Sequence, residues 1–166
     1  MGVSGAFSMG QHSLMTNDES HLLQTICQGK NVVEIGSYRG GSAEAIAKVC
    51  RHLTCIDPHG DLNFGDYTDD GEDIQAEFLR TISPFHNITY IRDYSDRARH
   101  LVSSFDVVLI DGEHSYDQCL KDLQNYRTQY MLVHDYCLMF TGVIAACQNY
   151  FGRLPDQLVG SLAYYE

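Results

Sequence analysis

Several kinds of residue are scarce or absent in this chain of 166 residues. There is no tryptophan, there are only 3 prolines, and the 11 Lys and Arg residues are half as many as the 22 Asp and Glu residues. The net charge of −11 argues against a broad surface for nucleic acid or for an anionic membrane. No apolar run approaches the roughly 18 residues that a membrane span needs, and no signal peptide opens the chain. We therefore expect neither nucleic acid nor a membrane as a partner.

The cysteines also lack a pattern, because no C-x-x-C pair occurs among the 6 of them. Several fall inside apolar segments, as buried free thiols of a cytoplasmic protein do, so neither disulfides nor a zinc site are expected. The length suits a single domain over residues 12–166, preceded by a flexible N-terminus over residues 1–11. The composition leaves open whether copies of the chain form a homo-oligomer.

The most informative stretch runs from Asn31 to Cys50. A short β-branched run ending at Ile35 predicts a buried strand, and residues 43–50 predict a helix with Ser42 as its N-cap. The loop between them is rich in glycine, which lets a ligand approach the backbone and the helix N-terminus. Its pattern is Glu34-x-Gly36-x-x-x-Gly40 and not the dinucleotide fingerprint G-x-G-x-x-G. The acid inside the strand suits a ligand with an ammonium group, and the alternative is an ordinary strand–turn–helix.

A second acid, Asp57, ends the next predicted strand, which covers residues 53–56. It follows the glycine loop by about 20 residues, the spacing at which a carboxylate can hold the hydroxyls of a ribose. The alternative is a solvated aspartate at a strand end. The acidic loop over residues 59–73 is either a solvated loop or a lid on the substrate side.

Predicted strands and helices alternate along the chain, which indicates an α/β fold, a doubly wound, mostly parallel sheet with helices on both faces. The last predicted strand, over residues 158–165, follows the helix that covers residues 142–151. Polar clusters follow the strands at their carboxyl ends, where open α/β sheets bind ligands. These clusters are residues 36–41, Asp57, residues 93–96, residues 111–114, and His134 with Asp135.

The motifs together resemble those of class I S-adenosylmethionine-dependent methyltransferases. The segments on which this resemblance rests are residues 34–42, residues 56–58, residues 110–116 and residues 134–136. They are most similar to the Rossmann-like O-methyltransferases that act on sugars, macrolides and catechols. The resemblance implies S-adenosylmethionine as cofactor, with Asp57 on the ribose and Ser95 and Asp96 near the adenine. It also implies a cofactor contact for Glu34, Gly36, Ser37, Tyr38, Gly40, Ser42, Asp111 and Gly112.

The same resemblance implies the chemistry. Asp111 corresponds to a metal ligand, and His114, three residues later, corresponds to the base that removes the proton of the acceptor. Relatives with a magnesium site often carry two adjacent acids or amides after the fifth strand, whereas this chain has His134 and Asp135. Asp111 and Asp135 are therefore the expected ligands of a magnesium ion.

The tail also departs from the family, because it has room for one strand where relatives end in a hairpin, so the C-terminal end should be shortened. The predicted reaction is methyl transfer to a hydroxyl of a small molecule such as a sugar, a phenol or a natural product. The alternatives are a nicotinamide-dinucleotide enzyme and a nucleoside-binding domain without methyl transfer. The residues do not identify the acceptor.

Overall fold

The computed structural model describes residues 15–59 and 73–166. The predictions of a flexible segment over residues 1–11 and of a lid over residues 59–73 fall outside the described residues, apart from His59 and Asp73 at the edges of that loop.

Within the described residues, 7 strands form one sheet in the order β3-β2-β1-β4-β5-β7-β6. The first five strands pair in parallel, and β7 runs antiparallel to both β5 and β6. The order reverses between β1 and β4, which is where an open α/β sheet leaves a crevice at its carboxyl edge. The strands are β1 (Asn31–Ile35), β2 (His52–Ile56), β3 (Ile88–Ile91), β4 (Val107–Ile110), β5 (Tyr130–Val133), β6 (Gln157–Val159) and β7 (Leu162–Tyr165).

Helices cover both faces of the sheet, as the alternation of elements predicted. Successive strand residues point to opposite faces, so Val32 packs in one apolar core and Val33 in the other. The first core includes side chains of α1, α2 and α3, and the second includes side chains of α4, α5 and α6. The helices are α1 (Asn17–Cys27), α2 (Gly41–Ala47), α3 (Ile74–Ile82), α4 (Ser95–Ala98), α5 (Tyr116–Asn125) and α6 (Thr141–Phe151).

The C-terminal segment corrects the sequence prediction of a single last strand. Gly160 has a φ of +58° and turns the chain between β6 and β7, which pair as an antiparallel hairpin. Apolar residues continue on both sides of this turn, so the pattern predicts one continuous strand. The sequence analysis missed the hairpin for this reason. The sheet therefore carries the C-terminal hairpin that the sequence analysis expected to be missing.

One helix start differs from its prediction, and another is capped as the residues Thr16 to Glu19 lead one to expect. The N-cap of α2 is Gly40 and not Ser42, which lies inside the first turn. Thr16 caps α1 with a full capping box, because its side chain and that of Glu19 each accept a hydrogen bond from the other's backbone N–H. Among the helices of the described ranges, none is long and apolar enough to cross a membrane.

Gly36 lies where the end of β1 meets the end of β4. It has a φ of +83°, and a Cβ added to it would lie 2.1 Å from the carbonyl oxygen of Asp111. Its N–H donates to the carbonyl of Ile56 at 2.9 Å, so the position is fixed between two neighbouring strands. A side chain here would have to push β1 and β4 apart.

We expect Gly36→Ala to destabilise the protein far more than Gly29→Ala does. Gly29 has a φ of +69° but no atom within 4 Å of an added Cβ, so its substitution carries only the backbone cost of about 1 kcal/mol. Gly36→Ala adds a clash with backbone and should cost at least about 2 kcal/mol more. Urea unfolding of the two variants measures the difference, and equal losses would contradict the close approach of β1 and β4.

Candidate functional site

A cavity of about 700 Å³ opens at the carboxyl ends of the parallel strands. Its volume lies in the range of sites for cofactors and small molecules. Every polar cluster that the sequence analysis placed at a strand end contributes to its wall. The lining includes Gly36, Ser37, Tyr38, Gly41, Ser42, Asp57, His59, Tyr94, Ser95, Asp111, Gly112, His114, Gln118, Asp122, His134, Asp135, Phe140 and Ser161.

Three of the predicted cofactor contacts do not line this cavity. Glu34 is fully buried beneath the glycine loop, Gly40 packs against Phe78 and Thr81 of α3, and Asp96 lies on the outer side of α4. The other predicted residues form its wall.

Glu34 supports the loop from below. Its Oε2 accepts a hydrogen bond from the Ser37 hydroxyl at 2.6 Å, while Oε1 is buried without a partner in hydrogen-bond geometry. Burial raises the pKa of Glu34 to about 7, against the lowering effect of its hydrogen bonds with Ser37, Ser42 and Cys55. The loop folds back over the strand end, so Ser37 separates this carboxyl group from the cavity. The sequence pattern placed Glu34 on the correct strand but could not show that Ser37 covers it.

Asp57 organises the same loop from the side of β2. Its Oδ2 accepts hydrogen bonds from the backbone N–H groups of Ser37 at 2.7 Å and Tyr38 at 2.9 Å. Its Oδ1 accepts one from the N–H of His59 at 3.0 Å. Oδ2 thus accepts two hydrogen bonds and Oδ1 only one, so Oδ1 retains a lone pair that can accept from a hydroxyl group of a ligand in the cavity.

His59 is a support that the sequence analysis missed. Its ring is buried, and Nε2 lies 2.6 Å from the carbonyl oxygen of Tyr38. Because a carbonyl only accepts, Nε2 carries a proton. Nδ1 lies 2.7 Å from the Tyr90 hydroxyl, so β3 holds the ring that in turn holds the glycine loop. The only sequence signal was the position of His59 at a strand end, two residues after Asp57.

A second group of polar residues lies in the cavity beside Ser95. Asp122 Oδ1 accepts hydrogen bonds from Ser95 Oγ at 2.6 Å and Gln118 Nε2 at 3.1 Å. Ser115 caps α5 through the N–H of Gln118, but the Gln118 side chain reaches Asp122 and not the backbone of Ser115. Ser115 and Gln118 have the spacing of a capping box, of which only the half from Ser115 forms. Gln118 and Asp122 are four residues apart and so lie on the same face of α5. This spacing is the sequence feature that points to the cluster.

Burial raises the pKa of Asp122 to about 6, although the hydrogen bonds from Ser95 and Gln118 lower it. Asp96 and Glu113 add to the rise through their negative charges. A carboxyl group that gains a proton more readily than usual lies in the cavity wall.

The predicted catalytic residues meet at the other end of the cavity. His114 Nε2 lies 2.9 Å from Asp135 Oδ2, but the nitrogen is buried and has no partner in hydrogen-bond geometry among the described residues. The ring packs against Phe140, with centroids 4.1 Å apart. The two residues come from different strand ends, β4 and β5. This arrangement leaves hydrogen-bonding capacity on Nε2 for a ligand in the cavity.

His134 lies behind this pair and touches three carboxylates. Its Nδ1 is 3.1 Å from Asp111 Oδ1 and 3.5 Å from Asp135 Oδ2, and its Nε2 is 3.7 Å from Glu19 Oε1. Burial acts to lower the pKa of His134, but the hydrogen bond and charge of Asp111, with the charges of Asp135 and Glu19, raise it to about 9. The sequence analysis placed His134 among the polar residues at strand ends, as a supporting residue and not a catalytic one, and did not predict these three carboxylate contacts.

The contacts of Asp111 and Asp135 determine whether these two expected ligands can bind a magnesium ion. Ligand atoms of Asp111, His114 and Asp135 all lie within 4.8 Å of one another. Magnesium takes six oxygen ligands, of which proteins usually supply one or two carboxylates and water the rest, so two carboxylates alone do not exclude it. Nδ1 of His134, however, lies 3.1 Å from Oδ1 of Asp111 and 3.5 Å from Oδ2 of Asp135, so an imidazole already lies against both carboxylates. The residues therefore do not fit a magnesium ion, and we derive no catalytic step through one.

The sequence matches the profile of the methyltransferase domain family over residues 33–140, well over half of the chain. The matched region contains the glycine loop, Asp57, Ser95 and the strand ends that carry Asp111, His114 and Asp135. The chain belongs to the methyltransferase domain family. No curated protein is detectably similar to it in sequence.

Solved structures with the same fold include several methyltransferases. The fold resembles precorrin 8W decarboxylase of Methanobacterium thermoautotrophicum, with 14% identity over 93% of this chain and 92% of that chain and a TM-score of 0.65. It also resembles the TDP-rhamnose 3'-O-methyltransferase CalS11 of calicheamicin biosynthesis, with 12% identity, 89% and 76% coverage and a TM-score of 0.64.

A third similar structure is the O-methyltransferase TomG of Streptomyces achromogenes, solved with S-adenosylmethionine, with 14% identity, 90% and 78% coverage and a TM-score of 0.62. At such identities these likenesses show the fold, which is that of class I S-adenosylmethionine-dependent methyltransferases. The predicted fold class is thereby confirmed.

The pH dependence of stability should change in the Asp122→Asn variant. A carboxyl group whose pKa is raised by folding contributes stability below its unfolded pKa and loses that contribution as the pH rises through about 6. Asparagine cannot ionise, so the variant lacks this loss. The difference between the unfolding free energies of variant and wild type should therefore shift by about 1 kcal/mol in favour of the variant between pH 5 and 7.5. Urea unfolding at both pH values measures this change. Glu34 is present in both proteins and cancels, and a constant difference would contradict the raised pKa.

Proposed function

We propose that this methyltransferase transfers a methyl group to a hydroxyl of a small molecule such as a sugar, a phenol or a natural product. The observation that carries the proposal is the buried Nε2 of His114, a residue of the cavity wall, which finds no partner in hydrogen-bond geometry within residues 15–59 and 73–166. Methyl transfer to a hydroxyl needs a base that accepts a proton near neutral pH, and an imidazole is suited to this task.

The cavity supports a cofactor of the size of S-adenosylmethionine together with a small acceptor. Asp57 and the glycine loop form one end, Ser95 and Asp122 a second, and His114 lies on the acceptor side beside Phe140. The excess of acidic residues, with a net charge of −11, favours a small acceptor over RNA. Similar folds act on other acceptors, among them an rRNA methylase of Streptococcus thermophilus, so the acceptor class has to be tested directly.

S-adenosylmethionine supplies, when bound, a methyl group whose carbon bonds to the acceptor oxygen while the carbon–sulfur bond breaks and its electron pair stays on sulfur. Nε2 of His114 takes the hydroxyl proton in the same step. Asp135 Oδ2, 2.9 Å from that nitrogen, stabilises the imidazolium that results. Phe140 packs on the ring and holds its orientation. Positioning of the acceptor by the cavity wall supplies the rest of the rate.

The dinucleotide alternative is not favoured. The loop lacks G-x-G-x-x-G, and the family to which the chain belongs is one of methyltransferases. A nucleoside-binding domain without methyl transfer is not favoured either, because the chain belongs to a methyltransferase family, and the rate measurement below tests it.

Calorimetric titration with S-adenosylhomocysteine tests the cofactor. We expect saturable binding by the wild type and affinity at least tenfold weaker, about 1.4 kcal/mol, in Asp57→Asn, because the amide cannot accept on both atoms. Asp156→Asn is the matched control, since Asp156 is exposed and pairs with Arg153 near the C-terminal hairpin. Equal affinity in Asp57→Asn would remove the assignment of Asp57, and no binding by the wild type would remove the cofactor.

His114→Ala tests the base. We expect methylation to slow by roughly 10²- to 10⁴-fold, with the affinity for S-adenosylhomocysteine unchanged within about twofold. The assay follows formation of S-adenosylhomocysteine with rhamnose, glucose and catechol as probe acceptors. His100→Ala provides the control, because His100 is exposed in the short 3₁₀ turn after α4. A variant as fast as the wild type on an accepted probe would show that His114 is not the base.

A further inference from the structure

The most unusual feature of the site is the histidine that begins the pair His134-Asp135. O-methyltransferases that this chain resembles, where they bind magnesium, often carry two adjacent acids or amides after the fifth strand. In this chain the first of the two positions is an imidazole with a side chain only 6% exposed. The substitution lies at the point where the carboxylates of the site converge.

The ring of His134 is held by groups from four parts of the fold. Nδ1 is 3.1 Å from Oδ1 of Asp111, at the end of β4, and 3.5 Å from Oδ2 of Asp135. Nε2 is 3.3 Å from the hydroxyl of Ser161, in the β6–β7 turn, and 3.7 Å from Oε1 of Glu19, in α1. An ionised carboxylate only accepts hydrogen bonds, so the proton between His134 and Asp111 lies on Nδ1.

Glu19 is itself fixed, so the contacts are built into the fold. Its Oε1 accepts hydrogen bonds from the N–H of Ser161 at 2.7 Å and from the Ser161 hydroxyl at 2.9 Å. Its Oε2 accepts from Thr16 in the capping box of α1. A Cβ on Gly160 would lie 2.5 Å from Oε1, so the turn and the carboxylate pack in direct contact. The position of His134 therefore depends on tertiary structure, not on a free side-chain rotamer.

We propose that His134 takes the place of the magnesium ion of related sites, and that its imidazole joins Asp111 to Asp135 by hydrogen bonding and proximity. Magnesium at Asp111 and Asp135 would have to displace Nδ1 of His134, which lies 3.1 Å from Oδ1 of Asp111 and 3.5 Å from Oδ2 of Asp135. His134 is thus a positioning residue that holds two acids beside His114. Methyl transfer by this chain, which rests on the proposed function, does not need an added divalent cation.

The same residues allow one competing arrangement, a different metal site. Asp111, His114 and Asp135 could act as a mixed oxygen and nitrogen set, which suits Mn²⁺ or Zn²⁺ better than Mg²⁺. Such a site would use the nitrogen that the proposed function assigns to the base. The experiment therefore titrates all three metal ions.

The test measures metal binding directly on the full-length chain, without an activity assay. Mg²⁺ and Zn²⁺ are titrated by calorimetry, and Mn²⁺ by electron paramagnetic resonance of the free ion, into wild type, His134→Asp and His86→Asp. His86 is exposed in the loop before β3, at the opposite edge of the sheet, and so matches the change in charge. We expect no saturable binding up to about 10 mM Mg²⁺ in wild type and in the control. His134→Asp should bind Mg²⁺ at least tenfold more tightly than either.

A thermal readout supports the same comparison. In His134→Asp a new carboxylate faces Asp111, Asp135 and Glu19 without a counter-ion, so the melting temperature should fall and Mg²⁺ should raise it again, because a ligand of the native state stabilises it. The wild type and His86→Asp should show no such rise. If His134→Asp does not fold, His134→Asn replaces it, since an amide restores an oxygen ligand without the added charge.

Two results would overturn the proposal. One is binding of Mg²⁺, Mn²⁺ or Zn²⁺ by the wild type below about 1 mM that Asp111→Asn abolishes, which would show a metal site despite His134. The other is a folded His134→Asp or His134→Asn variant with no gain in Mg²⁺ affinity. Titration of the same samples with S-adenosylhomocysteine separates this outcome from failure of the proposed function, because cofactor binding does not depend on the metal result.

Discussion

The close approach of Gly36 to the backbone of Asp111 is the constraint on which the site depends. Gly36 ends β1, Asp111 ends β4, and only a residue without a side chain fits between the two strand ends. The contact places the glycine loop directly beside the segment that carries His114. Since the strand order reverses between these two strands, the crevice for a ligand opens at the same point. The glycine loop, the crevice and the position of His114 therefore all depend on a single packing contact.

An excess of carboxylates surrounds this contact, and each has a donor in the fold. Asp57 accepts from the N–H groups of the glycine loop, Asp122 from Ser95 and Gln118, and Asp111 from His134. The hydrogen bonds to Asp111 and Asp122 act to lower the pKa of each carboxyl group, but burial acts in the opposite direction and prevails at both. Asp122, with a pKa of about 6, shows how far burial prevails even with two donors. The acidic composition of the chain thus concentrates at the site as well as on the surface.

The fold was predictable because its signals are local and periodic. The five parallel strands and their order of alternation with helices follow from short β-branched runs such as the one that ends at Ile35. The location of the site followed as well, because carboxyl ends of parallel strands share one edge. The hairpin at Gly160 was missed because its apolar pattern is continuous with both strands. A turn of two residues inside such a pattern has little local signal except the glycine itself.

The contacts within the site were much less predictable than its location. Glu34 and Ser37 are three residues apart, yet only the folded loop shows that one covers the other. Ser115 and Gln118 have the spacing of a capping box, but the Gln118 side chain donates instead to Asp122, four residues later, and to Ser95, which is remote in sequence. His134 depends on Glu19, which is remote in sequence and reaches it only through the β6–β7 turn. Sequence spacing predicts which strand end a residue occupies and cannot predict which distant group completes its hydrogen bonds.

The end of β5 shows why its two residues act as one unit. Asp135 has a φ of +55°, a left-handed conformation that costs most residues about 1–2 kcal/mol and that aspartate tolerates better than most. This turn brings its carboxylate to 2.9 Å from His114, while the N–H of His134 still donates to the carbonyl of Ile110 at 3.0 Å. His134 thus continues the sheet while Asp135 leaves it. The strained turn lets adjacent residues face different partners, and the contact of Asp135 with both histidines offsets its cost.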